Sequence, residues 1–203
     1  HGFLTINGEK MSKSKGTGIL AKEFAHIANP ETLRYYFAAK LNNKVEDIDL
    51  NFDDYVQRIN SDLVGKYLNI ASRSASFLRK NNNILSINVD KNILDNLVSK
   101  KDEVVSLYES RQYSKLVRIV MDLADDINKY INELTPWKKE IDEAVDISST
   151  AIKAFHILSL YLHPIIPSIT NEAFKFLNIN NVSINDVDEA ITKINDYKPL
   201  LNR

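Results

Sequence analysis

The sequence predicts a mainly α protein: an α-helical bundle preceded by a small mixed segment with a short β-hairpin. Three observations carry this. From Ile59 onward apolar residues recur at spacings of three and four, as on one face of a helix. Prolines and an asparagine run interrupt that pattern where helices would end. Near the start, Asn7-Gly8 stands between Phe3-Leu4-Thr5-Ile6 and Glu9-Lys10-Met11, and Asn-Gly favours the tight turn of a hairpin.

In chain order, the hairpin comes first and holds a lysine-rich loop at its exit. Leu20 to Ala28 predicts a short helix. A second begins at Pro30, with Asn29 as N-cap and proline at the first helical position, and runs to about Leu41. From Asn51 a long helix carries Ile59, Leu63, Tyr67, Ile70, Ser74 and Phe77 on its buried stripe, and Asn81-Asn82-Asn83 ends it. A second long helix is expected over Asp90 to Ser110. A third covers Tyr113 to Leu134, with Leu116, Val120, Leu123, Ile127, Tyr130 and Leu134 facing inward, and Pro136 stops it. A fourth is expected from about Ser148 to Leu162, and a fifth from Pro167 to about Leu177. The polar stretch from Asn178 to Arg203 reads as loop with one short helix. This divides the chain into residues 1–50, which carry the loop, and residues 51–203, a helical bundle with a tail. Helix pairs joined by short links pack antiparallel.

Composition narrows the function. The apolar share of 44% allows a substantial core, while no run of apolar residues is long enough to span a membrane. Nothing resembles a signal peptide. Cysteine is absent, which excludes disulfides and thiolate metal sites and fits a cytoplasmic protein. The histidines (His1, His26, His156 and His163) show no metal-ligand spacing. With a net charge of −1, any contact to nucleic acid must come from local patches. One such patch is Lys10, Lys13, Lys15 and Lys22, opposed up to that point only by Glu9. His163, before Pro164, is placed to meet the last carbonyls of a helix. Glu46, Asp47 and Asp49 read as a solvated linker.

Lys10-Met11-Ser12-Lys13-Ser14 is the most informative stretch, followed at once by Gly16 and Gly18. Lysines supply point charges, serines supply donors and glycine lets the backbone approach, a combination suited to a polyphosphate. A generic pentamer of this composition reads as a solvated basic loop. Two further features stand on the bundle. Asn69 and Arg73, four apart, share a helix face with Asp62, Lys66, Ser76 and Lys80. An amide beside a guanidinium can read the edges of splayed RNA bases, although spacing alone more often describes a solvated face. Trp137, the only tryptophan, follows Pro136 and precedes Lys138-Lys139. A lone tryptophan commonly anchors a core, while beside lysines at a helix break its ring can stack on a base.

The pentapeptide resembles the signature loop of class I aminoacyl-tRNA synthetases. The stretch His1 to Thr17 resembles the methionyl-tRNA synthetases in particular, with Thr17 after Gly16 where related enzymes usually continue Gly-Asn. Thr32-Leu33-Arg34-Tyr35-Tyr36, Val56-Gln57-Arg58-Ile59-Asn60, Asn69-Ile70-Ala71-Ser72-Arg73 and Pro136-Trp137 are also similar, in family order to about Arg203. The resemblance implies a connecting segment of the catalytic region over 1–50 and an anticodon-binding domain over 51–203. It implies that Lys13, with Lys10, is catalytic in methionine activation, and that Lys10, Ser12, Lys13 and Ser14 contact the ATP phosphates. It also implies that Asn69, Arg73 and Trp137 contact the CAU anticodon of methionine tRNA. Antiparallel packing of the third long helix beside the first would gather those three residues on one exposed surface.

In the full enzyme the resemblance implies ATP with Mg2+ and L-methionine, with no metal site in this chain. The chain starts inside a motif and stops without a cap, so it reads as a C-terminal fragment. It lacks the His-x-Gly-His signature, the methionine pocket and a zinc knuckle, and is expected to be inactive alone. Two alternatives stand beside this reading: a free-standing, non-catalytic tRNA-binding module, and a fragment of another class I synthetase, specific for cysteine or leucine.

Overall fold

A computed structural model describes residues 2–11, 18, 20–180, 182–187 and 190–201. The chain opens with β1 (Leu4–Ile6) and β2 (Glu9–Lys10), antiparallel with Thr5 opposite Lys10. Asn7 (φ 48°) and Gly8 (φ 80°) make the turn, both in the left-handed region that an Asn-Gly hairpin needs. A third strand, β3 (Ile48–Leu50), pairs in parallel with β1, Leu4 opposite Ile48, giving the order β2-β1-β3.

The acidic residues here are not a solvated linker. Asp47 Oδ1 accepts from the Phe3 amide at 2.7 Å. Asp49 Oδ1 accepts from Thr5 Oγ1 at 2.6 Å and from the Gly8 amide at 2.8 Å. Those donors hold the Asp49 carboxyl below the usual carboxylate range. Glu46 accepts from Asn42 Nδ2 at 2.6 Å. Asp47 and Asp49 thus tie β3 and its approach to the hairpin.

Between the hairpin and β3 lie α1 (Ala21–Ile27) and α2 (Pro30–Ala38). Asn29 caps α2 by accepting from the Glu31 amide, as its position before Pro30 predicts. α2 keys this segment to the bundle. The buried Glu31 carboxylate accepts from the Ser168 and Ile169 amides at 2.7 and 2.8 Å. Arg34 donates to the carbonyls of Ile165 and Pro164 at 2.9 and 3.1 Å. Tyr35 donates to Asp62, and Tyr36 and Lys40 both engage Asp54.

The first long helix runs as α3 (Phe52–Arg58), a π-helical stretch (Ile59–Leu68) and α4 (Asn69–Lys80). The wide turn is a departure from the regular helix that the sequence predicts. Gly65 lies inside it, and a Cβ there would stand 3.0 Å from the Asn60 carbonyl. Asn82 (φ 56°) and Asn83 (φ 62°) end the helix in left-handed backbone, which asparagine tolerates.

The second helix is two: α5 (Lys91–Ser99), capped by Asp90, and α6 (Lys101–Glu109), with the Lys100 amide bonding back to Leu97 in a tightened turn. α7 (Tyr113–Leu134) matches its expected bounds, although Tyr130 is half-buried and Leu134 exposed. A short 3₁₀ turn (Pro136–Lys138) leads to α8 (Ile141–Leu162), which begins two turns before the expected start at Ser148. Asp142 and Glu143 in its first turn oppose the helix dipole. α9 (Pro167–Phe176) and a 3₁₀ turn (Ile184–Asp186) follow.

α8 is the axis of the core. It packs against α4, α5, α7 and α9. Tyr67 and Phe155 stack at 4.8 Å in its centre, and the Tyr67 hydroxyl pairs with Ser159 Oγ at 2.6 Å. His163 does not meet helix carbonyls: its Nδ1 pairs with Thr170 Oγ1 at 2.7 Å.

His156 is buried on α8, with no partner for Nε2 among the described residues. Burial pushes it down from 6.5 to about 4, against a weaker upward pull from Asp186. A folded value below the unfolded one means that the unfolded chain binds more protons between the two. Stability is therefore intact above about pH 6.5 and falls as pH drops toward 4. The gap corresponds to roughly 3 kcal/mol. We expect urea unfolding of His156→Leu to lose much less stability than the wild type between pH 7 and pH 4. An unchanged acid limb in that variant would contradict this role for His156.

Candidate RNA-binding surface

Three residues of the first long helix meet three of α7 in a constant register. Lys66 Nζ lies 2.6 Å from Asp125 Oδ2. Asn69 Nδ2 donates to Asn128 Oδ1 at 3.2 Å. Arg73 Nη2 donates to Asn132 Oδ1 at 2.6 Å. The steps 66, 69, 73 and 125, 128, 132 advance together, so the two helices run in the same direction. The antiparallel arrangement expected from sequence is corrected on this point. Consecutive long helices alternate, and the first and third are therefore parallel.

Parallel packing brings the end of α7 beside the last turns of the first long helix. Thr135, in left-handed backbone (φ 46°), closes α7, and its carbonyl accepts from the Lys138 amide at 2.8 Å. This tight turn buries Pro136 and leaves Trp137 half exposed. The Arg73 guanidinium then lies over the Trp137 ring, 5.4 Å from its centroid. Such a cation–π contact contributes about 0.5–1 kcal/mol at an exposed site. Its larger effect is to fix both groups: Arg73 is held between the indole and the Asn132 side-chain oxygen.

Asn69 sits one turn before Arg73 and is half-buried. It is oriented by Asn128, whose own Nδ2 donates to the carbonyls of Lys66 and Ala124 at 3.0 and 2.9 Å. Asn128 and Asn132 are positioning residues that the sequence reading missed. Their only trace in the sequence is the spacing of four that repeats that of Asn69 and Arg73. Asp62 does not share this face. It engages Tyr35 and lies near Arg58, on the side of the loop-carrying segment. Ser76 and Lys80 are exposed on the same helix, as expected.

The surface thus offers a half-exposed indole, a guanidinium and an amide, oriented by neutral partners. A carboxylate beside Arg73 would neutralise it; Asn132 leaves the charge available. Stacking and edge hydrogen bonding to unpaired bases are what such groups do together.

The other expected site is described only at its edge. Lys10 ends β2, exposed, with Nζ 5.4 Å from the centroid of the Phe3 ring. Ser12, Lys13 and Ser14 lie outside the described residues. Among the described residues no group of histidine, cysteine, aspartate and glutamate could hold a metal ion. Among the described residues no helix is long and apolar enough to cross a membrane.

Comparison with known proteins bears on the whole chain. Residues 1–75 match the family of class I tRNA synthetases (M), and residues 90–197 match the anticodon-binding domain of tRNA ligase. The methionine–tRNA ligase of Psychrobacter arcticus is 45% identical over all of this chain, which spans 30% of that protein. That of Neisseria meningitidis is 43% identical over all of the chain, 31% of its own length. The chain therefore covers about a third of these relatives. Among solved structures, Mycobacterium tuberculosis methionyl-tRNA synthetase in complex with methionyl-adenylate superposes over the whole chain with a TM-score of 0.86. Identity there is 21% and 43% of that chain is covered, so the likeness is one of fold. Matched over more than half its length, the chain belongs to the family of anticodon-binding domains of tRNA ligases, and over all of its length it is similar to methionine–tRNA ligases.

Proposed function

We propose that the chain is the C-terminal part of a cytoplasmic methionine–tRNA ligase, and that it binds the CAU anticodon of methionine tRNA through Asn69, Arg73 and Trp137. The single observation that supports this best is the Arg73 guanidinium lying over the half-exposed Trp137 ring. The ring supplies a stacking plate and the guanidinium a set of donors beside it. Asn69 adds an amide one helical turn away.

In the same proposal the lysine loop serves amino-acid activation in the full enzyme. The methionine carboxylate attacks the α-phosphorus of ATP, the bond to the β-phosphate breaks, and pyrophosphate leaves. Negative charge grows on the departing group. Lys13, helped by Lys10, Ser12 and Ser14, meets that charge more strongly in the transition state than before it. ATP enters as its magnesium chelate, so the ion is part of the substrate. The acyl group then passes from the adenylate to the terminal ribose of the tRNA. Residues 1–50 act as the connecting segment that joins this loop to the bundle of 51–203, and α2 is the bridge between them.

The test is ATP–pyrophosphate exchange by the full-length protein with each proteinogenic amino acid in turn. Exchange with methionine above all others is the expected result. Exchange driven by cysteine or leucine would replace this reading with another class I specificity. No exchange at all, with tRNA binding intact, would leave a binding module only.

A further inference from the structure

The opposite flank of α4 carries a second feature. A polar cleft of about 700 Å³ opens between Ser72, Ser76, Arg79 and Lys80 on the helix and Asp196 and Tyr197 on the tail. Pockets for small ligands typically measure about 300–1,000 Å³, so the cleft has room for one nucleotide. It is separate from the Trp137 flank but continuous with it along the crest of the helix. Arg73, Ser76 and Lys80 follow one another there at spacings of three and four, about 10 Å in all.

Charge distinguishes this stretch. Lys66 is paired with Asp125, yet Arg73, Arg79 and Lys80 have no carboxylate within ion-pair distance among the described residues. Lys80 lies instead over the Phe77 ring at 5.7 Å. Asp196 is the one carboxylate lining the cleft, and its Oδ1 accepts from Asn83 Nδ2 at 2.9 Å. The cleft therefore holds two cations against one occupied anion. Tyr197 is half-buried and braced by the edge of Phe176, with ring centroids 5.4 Å apart. A braced aromatic ring costs little entropy to stack upon. α4 is thus flanked by an aromatic ring on each side, with unpaired cations between.

We propose that this cleft is a second RNA subsite, taking one nucleotide of the single-stranded loop adjoining the anticodon, with its phosphate on Arg79 and Lys80 and its base against Tyr197. The proposal rests on the anticodon reading and extends it. Aromatic plates with interleaved cations suit unpaired nucleic acid, because every base has a face and every linkage a charge. A duplex would meet the cations but could not offer a base to Tyr197.

The experiment measures binding of an RNA stem-loop carrying a CAU loop to the full-length protein across a salt series. The double variant Arg79→Gln/Lys80→Gln is expected to weaken binding severalfold at low salt. It should also lower the slope of log affinity against log salt by about 0.7, as the loss of one single-strand phosphate contact requires. Tyr197→Ala should lose about tenfold, and Tyr197→Phe, which keeps the ring, should restore it. An unchanged salt slope and affinity in the double variant, with Trp137→Ala still impaired, would overturn this subsite and leave the anticodon reading standing. An equal loss on a bare duplex stem would also overturn it. If Trp137→Ala bound the stem-loop as the wild type does, both readings would fall.

Discussion

Lys13→Ala in the full-length protein is expected to slow methionine-dependent ATP–pyrophosphate exchange by about a hundredfold or more. Removing one donor from a site of developing negative charge costs about 10²–10³ in kcat, because no water replaces it at the moment of reaction. The lysine is proposed to act on the departing pyrophosphate, so the loss should fall on kcat rather than on methionine affinity. Binding of tRNA should stay near the wild-type level, since the proposed anticodon surface lies on the bundle. Lys10→Ala should show the same pattern with a smaller loss. Wild-type exchange by Lys13→Ala would remove Lys13 from the mechanism.

The other large effect concerns the indole. Trp137→Ala should weaken binding of methionine tRNA by roughly tenfold or more, since a base–aromatic stack contributes about 1–3 kcal/mol. Arg73→Ala should cost a comparable amount and also relax discrimination at the anticodon. The two losses should not add. Arg73 rests on the Trp137 ring, so removing either one loosens the other, and contacting residues couple by about 0.5–3 kcal/mol. A double-mutant cycle on tRNA affinity measures that coupling. Methionine activation, which needs no anticodon, should survive both changes.

The legible parts of this fold are those set by local chemistry. α7 could be bounded from its apolar stripe and from Pro136, and α2 from Asn29 and Pro30. β3 could not, because Ile48–Leu50 is short and its partner strand lies at Leu4–Ile6, far away in sequence. The early start of α8 was hidden for another reason. α8 is buried on nearly every side, so it lacks the contrast of faces that marks an amphipathic helix. No glycine or proline announces the break at Lys100.

The surface was legible in a different way. Asn69, Arg73 and Trp137 were singled out by resemblance to a family, and spacing alone left each with an ordinary structural reading. That Arg73 would lie against Trp137 depended on which helices are neighbours. Their shared direction, and the support from Asn128 and Asn132, depended on register between α4 and α7, which residue types alone do not specify. Asp62 was misplaced because the π-helical stretch shifts the helix face between it and Asn69.

Asn69, Arg73 and Trp137 are proposed to read an anticodon. This is tested most directly by the affinity ratio between methionine tRNA bearing CAU and the same tRNA with an altered anticodon, measured for the wild type, Trp137→Ala and Arg73→Ala. The wild type should prefer CAU strongly. Trp137→Ala should lose much of that preference through weaker cognate binding, and Arg73→Ala should lose it through relaxed discrimination as well. The same ratio in all three proteins would contradict the account.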